Sequence, residues 1–481
     1  MSSMTNSADH THQTQSSGSE RKRPPRRGDI VELHIDDWGD KGKGIARYGR
    51  MVVLTDRGLP GDVVRARIVD RRRRHLVAEI EEIVQPSPDR VEARCKHFGL
   101  CGGCRLQDLD YNKQVETKVE HIRQQLRRIG KIDSVPDIDV IPYEPPYRYR
   151  NKMEFSFGGE AGSGLALGLH PRNNYREAFA LEECWIADER AAQVVQAVQT
   201  FFAAGDEEPY DPVEHTGLLR FVVVRIGVHT DEVLVNLVTS DRPWPRADEF
   251  GSMLKSACPF VTTALWTVND SRANIATGEQ RTVWFGPGVF HDRLGPYEFE
   301  IAPTGFFQTN TRQAEHLFAK AVEWAAPSGD EEVLDLYCGV GSISLFLSQR
   351  ARHVVGVELH EESVAAAKRN AERNHVTNCE FIAADALDYL RERAADGSIL
   401  PNVVVDPPRA GLHPKAVKTL CRCGPPTITY VSCNPGNLAR DLDLMKPVYT
   451  LNRLTAVDMF PHTPHIEAVA HLIRSERRDD T

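Results

Sequence analysis

No apolar run among the 481 residues approaches the ~18 that a membrane-spanning helix needs, so no helical membrane span and no membrane partner is expected. The opening stretch, MSSMTNSADHTHQTQSSGSE, carries no apolar segment of the kind a secretory leader requires. A cytoplasmic protein is the expectation. In that compartment the ten cysteines are not expected to pair as disulfides, and their clustering points to metal binding or catalysis. An excess of positive charge is missing too: 59 Lys and Arg stand against 68 Asp and Glu, a net of −9. That excludes a nucleic-acid grip exerted by the overall field and leaves only local basic patches for such a role. The charge is uneven, since residues 1–94 hold 18 basic and 15 acidic side chains, a net of +3, leaving −12 for the remainder. A chain of this length holds about two to four domains.

What is there is organised around Val403 to Pro435. VVVDPPRAG and TITYVSCNP are two β-branched runs that each end in a reactive cluster, with a helix-length segment between them. Such runs read as buried parallel strands, and the groups just past their carboxyl ends face the ligand crevice of an open α/β sheet. Asp406, Arg409 and Cys433 are thereby placed together. A small buried hydrophobe is the bland reading of Cys433; its position beyond the strand end favours a nucleophile.

DPPRAG, a gap of 16 residues and ITYVSCN resemble the signature of the S-adenosylmethionine-dependent RNA uracil-5 methyltransferases. A second signature of that family is matched by VDMFPHTPHIE, Val457 to Glu467. The resemblance runs from about Gly28 onward. It departs at Asn437, where the family usually carries Thr, and at Thr304 and Gly305, upstream of Phe306 and Phe307. In the family the Gln of this last stretch contacts the methyl donor, and Gln308 matches it.

The donor site is also readable from the residues. EVLDLYCGVGS is a strand, a Gly-rich turn and a helix start, in which Gly339 and Gly341 let the backbone of Tyr337 to Ser342 approach a ligand. A lone Gly-x-Gly would serve a dinucleotide equally, but Ser344 replaces the last Gly of that fingerprint. Glu358 ends the next strand and suits ribose hydroxyls, and Asp385 ends the one after and suits an adenine edge. With Asp335 and Asp406 these make four strand-end acids, the pattern of a class I methyltransferase. Cys338 has no evident base beside it and is read as packing.

Under the resemblance the fold is α/β: a class I, Rossmann-like methyltransferase domain at the C-terminus, an N-terminal small β-barrel, TRAM- or OB-like, and a central α+β RNA-binding domain. The expected boundaries are a disordered basic tail at 1–27, the barrel at 28–86, the central domain at 87–300 and the catalytic domain at 301–475. Short strands broken by Gly42, Gly44, Gly49 and Pro60-Gly61 carry the barrel. Arg71 to Arg74 are its candidate phosphate contacts, and Arg148, Arg150, Lys152, Arg220 and Arg225 those of the central domain. Leu106 to Leu126 predict a helix within 105–131 that closes at Gly130, and an antiparallel sheet with one helix near 187–203 follows. Cys95, Cys101 and Cys104 form C-x5-C-x2-C, and Cys184 is the candidate fourth thiolate. Zinc and iron–sulfur are equally compatible with four cysteines; the spacing resembles the 4Fe–4S site of one branch of the family.

The resemblance implies a reaction. A Cys433 thiolate adds to carbon 6 of uracil, carbon 5 takes the methyl group, and Glu467 removes the carbon-5 proton, with Asp458 and His465 next in line as bases. Asp406 positions the ring and Arg409 the substrate. Two other readings stand beside it. An amine-directed RNA methyltransferase would use DPP without needing Cys433 or Glu467, and a non-catalytic Fe–S RNA-binding protein would not need the donor site. The expected partner is RNA, with 23S rRNA favoured by the barrel plus cysteines and tRNA as the alternative, and the expected state is a monomer.

Overall fold

The computed structural model describes residues 25–39, 42–159, 164–326, 328–397 and 399–475, so nearly all of the expected tail at 1–27 lies outside the described residues. The chain divides into two compact units, residues 1–88 and 89–481.

In the first unit, alternation of buried and exposed side chains curls five strands into a closed barrel. These are β1 (Ile30–Gly39), β2 (Lys43–Tyr48), β3 (Met51–Thr55), β4 (Val63–Arg71) and β5 (His75–Gln85), in the order β1-β2-β3-β5-β4. Every second residue points inward, and Leu33, Ile35, Val53, Val64, Ile68 and Leu76 fill the interior. Gly44 and Gly58 belong at a crowded corner, where a Cβ on Gly44 would lie 2.7 Å from the Gly58 carbonyl oxygen. Arg71 to Arg74 are exposed at the β4–β5 turn, with Arg72 paired to Asp70 at 2.6 Å.

In the second unit, α1 (Tyr111–Arg128) and β6 (Ile138–Ile141) precede a seven-stranded sheet. That sheet holds β7 (Lys152–Gly158), β8 (Ala166–Leu169), β9 (Phe179–Ala180), β10 (Leu219–Ile226), β11 (Val233–Thr239), β12 (Thr263–Val268) and β13 (Gln280–Phe285). Helix α2 (Glu189–Ala203) lies where the sequence placed it; α3 (Ala247–Ala257) does not appear in the sequence reading. It is the crossover that makes β11 and β12 a parallel pair in a sheet otherwise antiparallel. The cause is visible in β10 and β11, which are buried at every position, so covered faces on both sides erase the alternation that marks a half-exposed strand. A short hairpin, β14 (Phe290–Leu294) and β15 (Tyr297–Ile301), leads onward.

The last sheet has eight strands. Five run parallel, β16 (Glu332–Leu336), β17 (His353–Glu358), β18 (Cys379–Ala383), β19 (Asn402–Val405) and β20 (Thr427–Ser432); β21 (Tyr449–Val457) and β22 (Glu467–Arg474) complete it with β6. The order is β18-β17-β16-β19-β20-β22-β21-β6, with β22 antiparallel to both its neighbours. Thus β6, though far upstream in sequence, is an edge of this sheet. Its two faces are covered by different helices. Val404 joins α4 (Thr311–Ala325), α5 (Ser342–Ser348) and α6 (Glu361–Arg373) in one core. Val403 and Val405 join α1, α7 (Ala386–Ala395), α8 (Pro414–Cys423) and α9 (Pro435–Met445) in the other. Each such buried Val contributes roughly 1.5–3 kcal/mol, which is why the strands read as unbroken apolar runs. Gly130 serves close approach, since a Cβ there would lie 3.2 Å from the Ala439 carbonyl of α9. Among the described residues no helix is long and apolar enough to cross a membrane.

Candidate active site

At the carboxyl edge of the parallel strands, β16 delivers Tyr337, β17 ends in Glu358, β18 leads to Asp385 and β19 to Asp406. Glu358 accepts from the Gly339 amide at 3.2 Å with one oxygen and from the His360 amide at 2.9 Å with the other. The turn between β16 and α5 is wound through left-handed backbone at Tyr337 (φ 67°), Gly339 (φ 56°) and Gly341 (φ 82°). For Tyr337 that conformation is strained, and a Cβ on Gly341 would press to 3.1 Å on Ala367 and Phe381. Ser342 opens α5, half-buried. Asp335 is wholly buried, its Oδ2 taking the Ser344 hydroxyl at 2.6 Å and its Oδ1 without a partner. Burial, with Asp406 and Glu358 nearby, pushes its carboxyl up to about 7. Asp385 is exposed and caps α7, accepting from the Leu387 and Asp388 amides at 2.9 and 3.1 Å. Gln308 is half-buried in the segment between β15 and α4. Its carbonyl accepts from the Asn151 side chain at 2.9 Å, while Arg225 holds the Pro303 and Gly305 carbonyls upstream.

Cys433, Glu467 and Asp406 come together because β22 lies against β20. Ser432 pairs with Ala468, so the residue just past the end of β20 meets the first residue of β22. The electrostatics report the same proximity. Burial pushes Glu467 up to about 8, with Asp406 adding to the shift and Arg409 opposing it. Burial also raises Asp406 to about 7. Cys433 is raised to about 11 by burial first, then by Glu467 and Asp406, against a smaller pull from Arg409. Without ligands, Cys433 therefore holds its proton at neutral pH. Cys338 is buried as expected, and Cys379 is raised to about 12.

The loop bearing Asp406 and Arg409 is held from α9. Asn437, the departure from the family wording, donates to the Arg409 carbonyl at 2.6 Å, and Arg440 reaches the Ala410 and Leu412 carbonyls at 3.0 Å. The loop before Glu467 is tied just as firmly. Lys118 and Asp458 form an ion pair at 2.8 Å, both side chains essentially without exposure, and Tyr111 donates to Asp458 at 3.0 Å. Asp458 therefore has both oxygens engaged, which removes it as an alternative base. His465 stays exposed beside Arg409 at 3.4 Å. Gln114 accepts from the His462 amide at 3.0 Å, and the Arg105 and Leu106 amides both donate to the His462 carbonyl. Sequence reading missed this network because its members lie far apart along the chain. It also misjudged Arg220 and Arg225, which are buried and spend their guanidinium groups on backbone carbonyls rather than on phosphates.

Cys95, Cys101, Cys104 and Cys184 line one cavity of about 320 Å³. Burial raises Cys104 to about 12 and Cys184 to about 11, and Cys101 and Cys95 add to both shifts. Sulfurs that resist one another's ionisation in a common cavity suit a cationic centre, which would relieve that cost. Among the described residues, no three His, Cys, Asp or Glu side chains are drawn together tightly enough to hold a metal ion as they stand.

A doubly wound sheet with a strained Gly-rich turn after its first parallel strand and acids at successive strand ends defines a class I, S-adenosylmethionine-dependent methyltransferase. The family described as tRNA (uracil-5-)-methyltransferase matches residues 292–475. An uncharacterised RNA methyltransferase of Halalkalibacterium halodurans is 36% identical over 455 residues, 94% of this chain and 99% of the relative. One of Chlorobaculum tepidum is 37% identical over 472 residues, covering 94% and 98%. Among solved structures, the tRNA (uracil-54, C5)-methyltransferase of Pyrococcus abyssi, in complex with S-adenosyl-L-homocysteine, matches with a TM-score of 0.74. It is 31% identical, over 92% of this chain and 99% of that one. The chain belongs to the RNA uracil-5 methyltransferase family and is an RNA methyltransferase.

Proposed function

We propose that the protein methylates carbon 5 of a uridine in RNA through a covalent adduct on Cys433. The observation that carries this is the meeting of a thiol, a protonatable buried carboxylate and Asp406 at one strand end. An amine-directed enzyme needs only the last of these. S-adenosylmethionine, when bound, supplies an electrophilic methyl group and a positive charge. Tyr337, Gly339, Gly341, Ser342, Glu358, Asp385 and Gln308 are assigned to hold it, Glu358 through the ribose hydroxyls. A positive charge in the crevice, together with Arg409, lowers the cost of ionising Cys433. The thiolate then adds to carbon 6, and the electron pair displaced onto carbon 5 takes the methyl group. Glu467, as carboxylate, removes the carbon-5 proton; the carbon–sulfur bond breaks and the thiolate returns. Asp406 positions the uracil ring. The uridine reaches this crevice by leaving its stack.

Cys95, Cys101, Cys104 and Cys184 are assigned to a 4Fe–4S cluster. A shared cavity, rather than one ion-sized cradle, is what supports a cluster over zinc. Because methylation transfers no electron, the role assigned to the cluster is to brace the fold or to grip RNA rather than to carry out a redox step. The barrel is assigned as a TRAM module that adds to the hold on RNA. Barrel and cysteines together favour 23S rRNA over tRNA as substrate. The deciding experiment is methyl transfer to unmodified 23S rRNA and tRNA transcripts with mapping of the product base. 5-Methyluridine supports the reading; a methylated exocyclic nitrogen overturns it.

A further inference from the structure

Between the cysteine cavity and the loop that leads to Glu467 lies a ladder of aromatic rings capped by arginines. Tyr147 packs against His462 with ring centroids 4.5 Å apart and planes tilted by 31°, and meets Trp185 edge-on at 6.0 Å. The Arg94 guanidinium carbon stands 4.6 Å from the Tyr147 centroid and 5.7 Å from that of Trp185. Arg148 covers the same indole at 4.8 Å. The two arginines differ in what else they do. Arg148 is exposed but donates to the Cys184 and Ala187 carbonyls, both at 2.8 Å, so part of it braces the fold. Arg94 is exposed and, among the described residues, makes its contacts only with the rings. A guanidinium this close to aromatic rings is attracted to their faces, and its N–H donors can still meet an anion.

We propose that Arg94, carried on Tyr147 and Trp185, is a docking point for the single-stranded RNA that flanks the target uridine. It would take a phosphate on its edge or an unstacked base on its free face. The charge is of the right sign, and the combination of stacked aromatics with arginine is the chemistry that holds single strands without reading sequence. The position agrees: His462, at the foot of the ladder, lies in the loop that carries His465 and leads into Glu467 at the start of β22. This inference rests on the proposed RNA substrate and adds a contact to it.

The test uses the full chain and the unmodified 23S rRNA and tRNA transcripts, whichever the unsubstituted protein methylates. Arg94→Gln should weaken equilibrium binding about tenfold and lower the slope of log affinity against log salt by about one. Arg94→Glu should weaken it further. The KM for RNA should rise in parallel, with kcat at saturating RNA unchanged. Calorimetric binding of S-adenosylhomocysteine to both variants serves as the check on folding. If both variants bind that ligand normally and hold RNA with unchanged affinity and salt slope, the ladder is only internal bracing and the proposal falls. If the unsubstituted protein methylates neither RNA, it is the functional reading that fails, ahead of this contact.

Discussion

On the proposed mechanism Cys433 and Glu467 divide the labour in a way that substitution can separate. With Cys433→Ala, carbon 6 is never attacked, so neither methylated RNA nor a protein–RNA adduct should form. With Glu467→Gln, attack and methyl transfer proceed but the carbon-5 proton stays, so a methylated adduct should accumulate and survive a denaturing gel. Normal turnover by Glu467→Gln would hand the base role to another group. The buried setting of Glu467 also fixes the direction of its pH response. Its carboxyl is raised to about 8, so the base form, and with it release of the adduct, should increase as pH rises through that value. Stability runs the other way. A raised carboxyl means the folded chain holds the proton more tightly than the unfolded one, so the stabilisation is complete below 4.5 and lost as pH rises towards 8. Glu467→Gln cannot ionise, and its melting temperature should gain on that of the unsubstituted protein across that window; equal shifts at pH 4 and pH 9 would contradict the assignment. These residues were legible because they sit in contiguous motifs. The protonation of Cys433 was not, because its shift arises from burial and from carboxylates on other strands.

At the scale of elements, legibility followed exposure. The barrel strands alternate and were read as strands, as were β10 and β11, but the burial of β10 at every position hid that its two arginines serve the interior. The pairing of α1 with the end of β21 was equally invisible, since Lys118 and Asp458 lie 340 positions apart and neither carries a local signal. Yet this pair anchors the loop that presents Glu467. Lys118→Met would leave the Asp458 carboxylate buried without a countercharge and should cost about 3–5 kcal/mol in denaturant unfolding. Adding Asp458→Leu should return much of that loss, because a removed pair costs less than a broken one. A single variant as stable as the unsubstituted protein would show that water reaches the site.

For the molecule as a whole, the cysteine cavity is the feature whose content is most directly observable. Anaerobically purified protein should be brown, with a broad band near ~400 nm and about four irons per chain. Cys184→Ala should lose the metal and Cys379→Ala should keep it. Colourless protein with one zinc would retain the site and reject the cluster.

The strand order has a consequence in time as well as in space. A ribosome makes β20 before β21 and β21 before β22, yet β22 is the strand that fits between the other two. Until it emerges, β20 and β21 have a gap where their shared partner belongs, and β6, made long before, pairs only with β21. Cys433 is therefore synthesised ahead of Glu467, and only the arrival of one late strand brings them together. Non-local closure of this kind is slow and leaves unpaired edges exposed meanwhile. On the proposed mechanism, the strand that assembles the site is also the strand that brings the means of release.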